Sequence, residues 1–203
     1  MASPLTALVN LISSSVQTLE SAYSKEGLAF PSLDEPFRPG PLDKDSAIVA
    51  ATQVVVVAAH QLIATVRPPV DTVFEHGLSM YMAASLNVAV DVDVPDVLKE
   101  AGAQGLHVNE IVREARILRY LATRHIFKEV APDVFANNRL SSILVKPHPL
   151  EELKSEHGKL AKYDDAGIAS MVGVPASHPI DIADTSRCIP HRRLYWKISI
   201  NPS

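Results

Sequence analysis

The stretch ARILRYLATRHIFKEVAPDVFANNRLSSIL, Ala115–Leu144, decides how this 203-residue chain folds. Ile111, Ala115, Leu118, Leu121 and Ala122 recur at helical spacing, so 108–125 is predicted to be helical with one apolar face. Phe127–Asn138 predicts two short strands around Pro132-Asp133. Proline at the second turn position followed by aspartate suits a type I turn, and Asn137-Asn138 tolerate positive φ. Ser141 or Ser142 is placed to cap a last short helix through Val145, which Pro147 and Pro149 stop. The centre of the chain is therefore a helix leading into a tight hairpin.

Upstream, Leu5, Leu8, Ile12, Val16, Leu19 and Tyr23 form one helical face that begins at Ser3-Pro4 and ends at Gly27. Pro31, Pro36, Pro39 and Pro41 exclude helix and central strand from 28–42, which predicts a linker wrapping the surface. Asp43 or Asp45 caps a second helix through Ala51, Val55, Ala58, Leu62 and Val66, stopped by Pro68-Pro69. A third helix is expected from Val70 or Asp71 to Ala89, apolar over a wide arc and so in contact with more than one neighbour. The alternation in Val88–Val94 is a strand signal. Asp93 before Val94-Pro95 favours instead a helix end, a turn and a short helix closed by Gly102, with Gly105 opening a new unit. Downstream, 151–172 predicts one further helix, and 174–203 has no amphipathic element.

Apolar residues make up 47% of the chain and charged residues 21%, enough for a buried core. A net charge of -4 gives no general attraction to nucleic acid or to anionic membrane. The single cysteine, Cys188, excludes an internal disulfide and fits a reducing, cytoplasmic setting. The N-terminus lacks the basic region of a signal peptide. The apolar run 47–66 is interrupted by Thr52, Gln53, His60 and Gln61, and is expected to be a buried helix, with no membrane span.

Several motifs, in order, resemble the fungal and plant-type small-molecule O-methyltransferases. FEHGLSMYMAASL, Phe74–Leu86, resembles their dimer-forming helix, and VPDVLKEAG and GLHVNEI resemble the short helices before the recognition helix. The opening stretch resembles the recognition helix and wing, and KYDDAGIASMVG the start of the helix that links to the catalytic domain. The likeness runs from Ser3 to Gly173. It implies a mainly α fold: a helical dimerisation domain with a degenerate winged helix and a small β-hairpin wing. The implied organisation is an N-terminal helix (1–27), a proline-rich linker (28–42), the dimerisation domain (43–150), a partial linking helix (151–173) and an irregular tail (174–203).

Full-length members transfer a methyl group from S-adenosylmethionine to a hydroxyl of a small metabolite. Two departures stand out. Only Val112–Ala115 separates Ile111 from Arg116, too few residues for the usual turn, which predicts fused or irregularly packed helices. Beyond Gly173 the likeness ends, with no glycine-rich strand-to-helix turn, so no cofactor or catalytic residue is assigned, and the chain is expected to be truncated and inactive alone. The resemblance places a dimer interface on Phe74, Leu78, Met80, Tyr81, Met82 and Leu86, which ordinary core packing would explain equally well. It also places His76 near a partner's pocket. The expected partner is a second copy or a full-length relative, in a two-fold contact.

Other candidates carry less. Asp91 and Asp93 supply too few oxygens for a divalent ion and read as a solvated turn with a helix cap. His60 reads as a packed or exposed helical histidine. Cys188 has Arg187, His191, Arg192 and Arg193 nearby, but no ordered pocket, and His178 and His191 have no family counterpart. Arg113, Arg116, Arg119, Arg124 and Lys128 make the winged-helix region basic, but net acidity and the missing turn argue against DNA binding.

Overall fold

Nine α-helices and three short strands are formed among residues 3–111, 115–155 and 168–173, the residues that the computed structural model describes. Helix α1 (Pro4–Lys25) begins where Ser3 Oγ accepts from Thr6 N, and ends before Gly27 at φ 66°. Helix α2 (Ser46–Val66) is capped by Asp45, whose carboxylate accepts from Ala47 N and Ile48 N. Asp43 instead accepts from Gly40 N. The end of α1 packs on the start of α2 through Leu19, Tyr23, Ile48 and Ala51, so the pair forms an antiparallel hairpin.

Between them the proline-rich segment forms a strap. Leu33 O accepts from Arg139 N at 2.9 Å, Phe37 N donates to Ser142 Oγ at 2.7 Å, and Asp34 pairs with Lys128.

The expected third helix is two helices, α3 (Pro69–Gly77) and α4 (Ser79–Asp91), joined at Leu78. Gly77 explains the break: an interior glycine destabilises a helix by about 1 kcal/mol relative to alanine. Leu78 N still reaches Phe74 O at 3.0 Å, so the chain bends without reversing. Helix α5 (Val94–Ala101) follows a turn at Val92-Asp93 and is closed by Gly102, so the Val88–Val94 alternation is not a strand. Asp93 sits at the cap position at φ 59°, but its side chain makes no cap bond.

After a 3-10 turn (Gly102–Gln104) come β1 (Leu106–His107), α6 (Val108–Ile111) and α7 (Ala115–Thr123). Whether α6 and α7 fuse falls on 112–114, outside the described residues. Strand β1 is a departure from the sequence reading: two residues are too few to show periodicity. Strands β2 (Phe127–Ala131) and β3 (Val134–Asn137) complete an antiparallel sheet in the order β1-β3-β2, with a bulge between Glu129 and Ala131.

The hairpin turn is not type I. Asp133 has φ 61°, where a type I turn needs about −90°. Glu129 accepts from Asp133 N, and Arg119 pairs with the Asp133 carboxylate, holding that geometry. Positive φ thus falls on Asp133, with Asn137 and Asn138 left in ordinary backbone. Asn138 instead caps the 3-10 turn Ser141–Leu144: its Oδ1 accepts from Leu140 N and Ser141 N, while Ser141 Oγ accepts from Asn138 N.

Helix α8 (Leu150–Lys154) ends at an extended Ser155, so the single helix expected over 151–172 is not formed. Helix α9 (Ile168–Gly173) packs through Ala169 on Val90 of α4 and on Leu144 of the 3-10 turn. The tail 174–203 lies outside the described residues.

The main core is Ala89, Val94, Leu98, Val108, Leu118, Leu121, Phe127 and Phe135. It brings α4, α5, α7 and the sheet together. Gly105, at φ 73°, feeds the chain into β1 where an added Cβ would lie 2.5 Å from Phe135 O. Gly105→Ala is therefore expected to lower stability by about 2–3 kcal/mol, through backbone strain and a clash that the sheet cannot relieve. A urea midpoint equal to that of the parent protein would contradict this.

Candidate functional site

The outer side of α2, α3 and α4 is apolar and open. Val66, Val70, Val73, Phe74, Met80 and Tyr81 are between 57% and 77% exposed. On α3, Val70, Val73 and Phe74 follow the three-and-four spacing of one face. On α2, Val49, Val56 and Ile63 lie seven residues apart, so they share one stripe, and all three are exposed. No residue from Ser46 to Val66 is Asp, Glu, Lys or Arg. Only Ile48, Ala51 and Ala58 of α2 are buried, which corrects the expectation of a buried helix. By length and composition alone α2 also passes as a membrane span. Exposed apolar residues in such numbers on neighbouring stretches of chain mark contact with something else when they form one patch.

The family-derived interface residues divide between two sides of the bend. Phe74, Leu78, Met80 and Tyr81 face outward. Met82 and Leu86 are half-buried and pack against the main core. His76 is exposed near the end of α3, and His60 is exposed on α2.

Beside the apolar face, a groove of about 670 Å³ opens between α3–α4 and α7. Phe74, Leu78, Tyr81, Ile117 and Tyr120 line it, with Arg67, Arg116 and Arg124 around them. Glu75 pairs with both Arg67 and Arg124, and the Arg124 guanidinium lies 5.7 Å from the centre of the Tyr120 ring. Those exposed pairs add little stability, but they fix charge. With Arg119 on Asp133 and Lys128 on Asp34, three of the basic residues of this region are spent on carboxylates. Arg116 is exposed, and Arg113 lies outside the described residues. A phosphate backbone would have to compete with those carboxylates.

The most tightly organised polar cluster is one that sequence reasoning did not single out. Lys146 is 2% exposed, and its Nζ donates to Val90 O at 2.8 Å, Asp93 Oδ1 at 2.6 Å and Asp96 Oδ2 at 3.3 Å. Its backbone N donates to Asp96 Oδ1 at 2.8 Å. Asp93 is thus the partner of a buried ammonium, which corrects the reading of a solvated helix cap. The signal was available: an acidic run, DVDVPD, and one lysine set in an apolar, proline-rich stretch, where a charge must find a partner. The cluster ties the end of α4 and the start of α5 to the segment leading into α8.

Burial pushes the Asp96 carboxyl above its ordinary value of 3.8, against the lowering effect of Lys146. The folded protein therefore holds this proton more readily than the unfolded chain. Stability should rise as pH falls from the raised folded value towards 3.8, and this part is lost as pH rises through that window. In Asp96→Asn the slope of unfolding free energy against pH across that window should be more positive than in the parent protein. Identical slopes in urea titrations would refute it.

Among the described residues no group of three or more His, Cys, Asp or Glu is placed to hold a metal. Cys188, His178 and His191 lie outside the described residues.

Comparison with known proteins identifies relatives of one kind. The chain is 37% identical over 180 residues to an O-methyltransferase of Armillaria gallica, covering 84% of this chain and 38% of that protein. It is 34% identical over 193 residues to 4-O-methyltransferase 1 of Phanerochaete chrysosporium, covering 90% of this chain and 40% of that protein. An O-methyltransferase of Aspergillus fumigatus is 31% identical over 157 residues, 73% of this chain and 32% of that protein. The chain thus spans less than half the length of these curated relatives. No protein-family model matches it.

Proposed function

Because this chain is a relative of the fungal O-methyltransferases, we propose that its helices supply the dimer contact of such an enzyme. The observation that carries this reading is the set of exposed apolar residues on α2, α3 and α4, with no charged residue along α2. A second copy is the partner we favour. A two-fold contact lets the same apolar face cover itself, and it needs no complementary charge, of which α2 has none. A full-length relative would meet the same face in the same way. The polar residues Thr52, Gln53, His60 and Gln61 along α2 favour a protein contact over a lipid one.

The arrangement beside this face supports a degenerate winged helix in a packing role. The order α5, β1, α6, α7, β2, β3 with β3 central suits that architecture. Arg119 of α7 and Arg124 just after it are ion-paired, and the apolar side of α7 is buried in the core.

In the reaction proposed for the whole enzyme, S-adenosylmethionine supplies a methyl group to a hydroxyl of a small metabolite. We assign these residues the task of holding two subunits together, with no part of the cofactor site. Sedimentation equilibrium should show a dimer at micromolar concentration, and titration with radiolabelled S-adenosylmethionine should show no binding. A strictly monomeric chain would remove the dimer reading. Stoichiometric cofactor binding would remove the division of labour.

A further inference from the structure

The strap belongs to the α1–α2 hairpin more than to the body it touches. At its start Phe30 rests on Tyr23 of α1, with ring centres 5.0 Å apart, and Leu28 N donates to Tyr23 O at 2.9 Å. At its end Leu42 packs against the hairpin's own core of Leu19, Tyr23, Ile48 and Ala51. Pro31, Pro36, Pro39 and Pro41 stiffen the stretch between, because proline-rich segments act as semi-rigid spacers. Hairpin and strap therefore form one closed unit.

That unit and the body keep separate cores. Among the described residues, no apolar side chain of α1 or α2 belongs to the main core or to the smaller one of Val90, Leu144 and Ala169, or packs against either. Neither helix makes a hydrogen bond or ion pair to the body among those residues. Away from the junction with α3, where Arg67 pairs with Glu75, the polar and cation–π contacts that fasten the unit all fall within 33–37. Leu33 O accepts from Arg139 N, Phe37 N donates to Ser142 Oγ, and Asp34 pairs with Lys128. The Arg139 guanidinium lies 5.0 Å from the Phe37 ring centre. Packing adds little, since a cavity of about 550 Å³ lies between Pro36 and Phe37 on one side and Leu98, Ala136 and Val145 on the other. Contacts of this kind hold weakly against water one by one.

We propose that residues 33–37 are a latch. Closed, it fixes the hairpin against the body. Released, the hairpin and strap swing as one folded unit about Arg67-Pro68-Pro69, where α2 ends, α3 begins and two prolines interrupt the helical hydrogen bonding. The swing changes the angle that α2 makes with α3 and α4. It needs no second copy, so it stands or falls apart from the dimer contact.

Nitroxide labels on Gln17→Cys of α1 and Glu100→Cys of α5, in a Cys188→Ser background, read the distance between hairpin and body by pulsed electron paramagnetic resonance. Both label positions are exposed. Labelled chain is diluted into excess unlabelled chain, so that the distance lies within one copy. The latched protein should give one narrow distribution. Asp34→Ala with Phe37→Ala removes the ion pair and the cation–π contact, and should broaden the distribution and shift its centre while the circular dichroism spectrum stays that of the parent chain. Arg38→Ala, at an exposed strap residue that makes no ion pair among the described residues, should leave it narrow. As a second readout, Ser142→Ala should speed hydrogen exchange of the Phe37 amide roughly fivefold, with the amides of α1 and α2 at parental rates. A parent distribution as broad as that of the double variant overturns the proposal, since nothing is then latched. So does a double variant that keeps the parent distribution, or equal broadening by Arg38→Ala. Loss of helical signal, or faster exchange in α1 and α2, overturns it as well, because the hairpin would then be unfolding and not swinging.

Discussion

Phe74→Asp is expected to convert the proposed dimer into a monomer while leaving the fold intact. Phe74 is 66% exposed on α3, beside Val70 and Val73, and is absent from the buried cores. Within a single chain the new carboxylate would remain in water. In a two-fold contact, one substitution places two like charges into an apolar interface, each without a partner. Burying an unpaired charge costs several kcal/mol, so dimer affinity should fall by about a hundredfold or more. Sedimentation equilibrium reads the loss, and an unchanged thermal midpoint of the diluted monomer shows that folding is intact. If the variant stays dimeric with unaltered affinity, the contact lies elsewhere. Because the groove shares Phe74, Leu78 and Tyr81 with this face, its shape belongs to the same test.

The second large effect concerns Lys146. Lys146→Met removes the ammonium that three acceptors share and leaves Asp96 buried beside Asp93 with no cation. Removing one member of a buried ion pair typically costs about 3–5 kcal/mol, and that is the expected loss in urea unfolding. Asp96→Asn added to Lys146→Met should recover part of it, since it removes a charge that no longer has a partner. Lys99→Met, at an exposed lysine on α5, should change stability by no more than about 0.5 kcal/mol. Equal effects of the two lysine substitutions would show that the buried cluster contributes nothing particular. The consequence reaches the proposed interface as well. The cluster holds the turn that ends α4, and α4 carries Met80 and Tyr81 outward on one side while Met82 and Leu86 enter the core on the other.

Much of the helical frame could be read directly. Ser3 and Asp45 act as caps, proline stops α2, and the Val88–Val94 alternation resolves into a turn and a short helix. Those features depend on neighbours a few residues apart. The hairpin was also legible, because Pro132-Asp133 separates two short apolar runs. Its turn type was not, since the Asp133 geometry depends on Glu129 and on Arg119 from another element. The bend at Gly77, the two-residue strand β1 and the cap by Asn138 escaped for the same reason. Each is a small local preference that packing amplifies or overrides.

The candidate site shows the same division. Phe74, Leu78, Met80 and Tyr81 could be named from their resemblance to a known helix, but not separated from Met82 and Leu86. Only the bend and the packing of α4 decide which residues face water. The sequence by itself determined where helices start and stop, and that a mainly α chain has a small hairpin near its centre, because capping, proline and periodicity act within a few residues. Tertiary structure alone decided that α2 is left open, that Lys146 is buried against Asp93 and Asp96, and that the strap encloses a cavity. Those outcomes join distant residues, some more than 100 positions apart, as in the bond from Phe37 to Ser142. Local preference carries no information over such a separation.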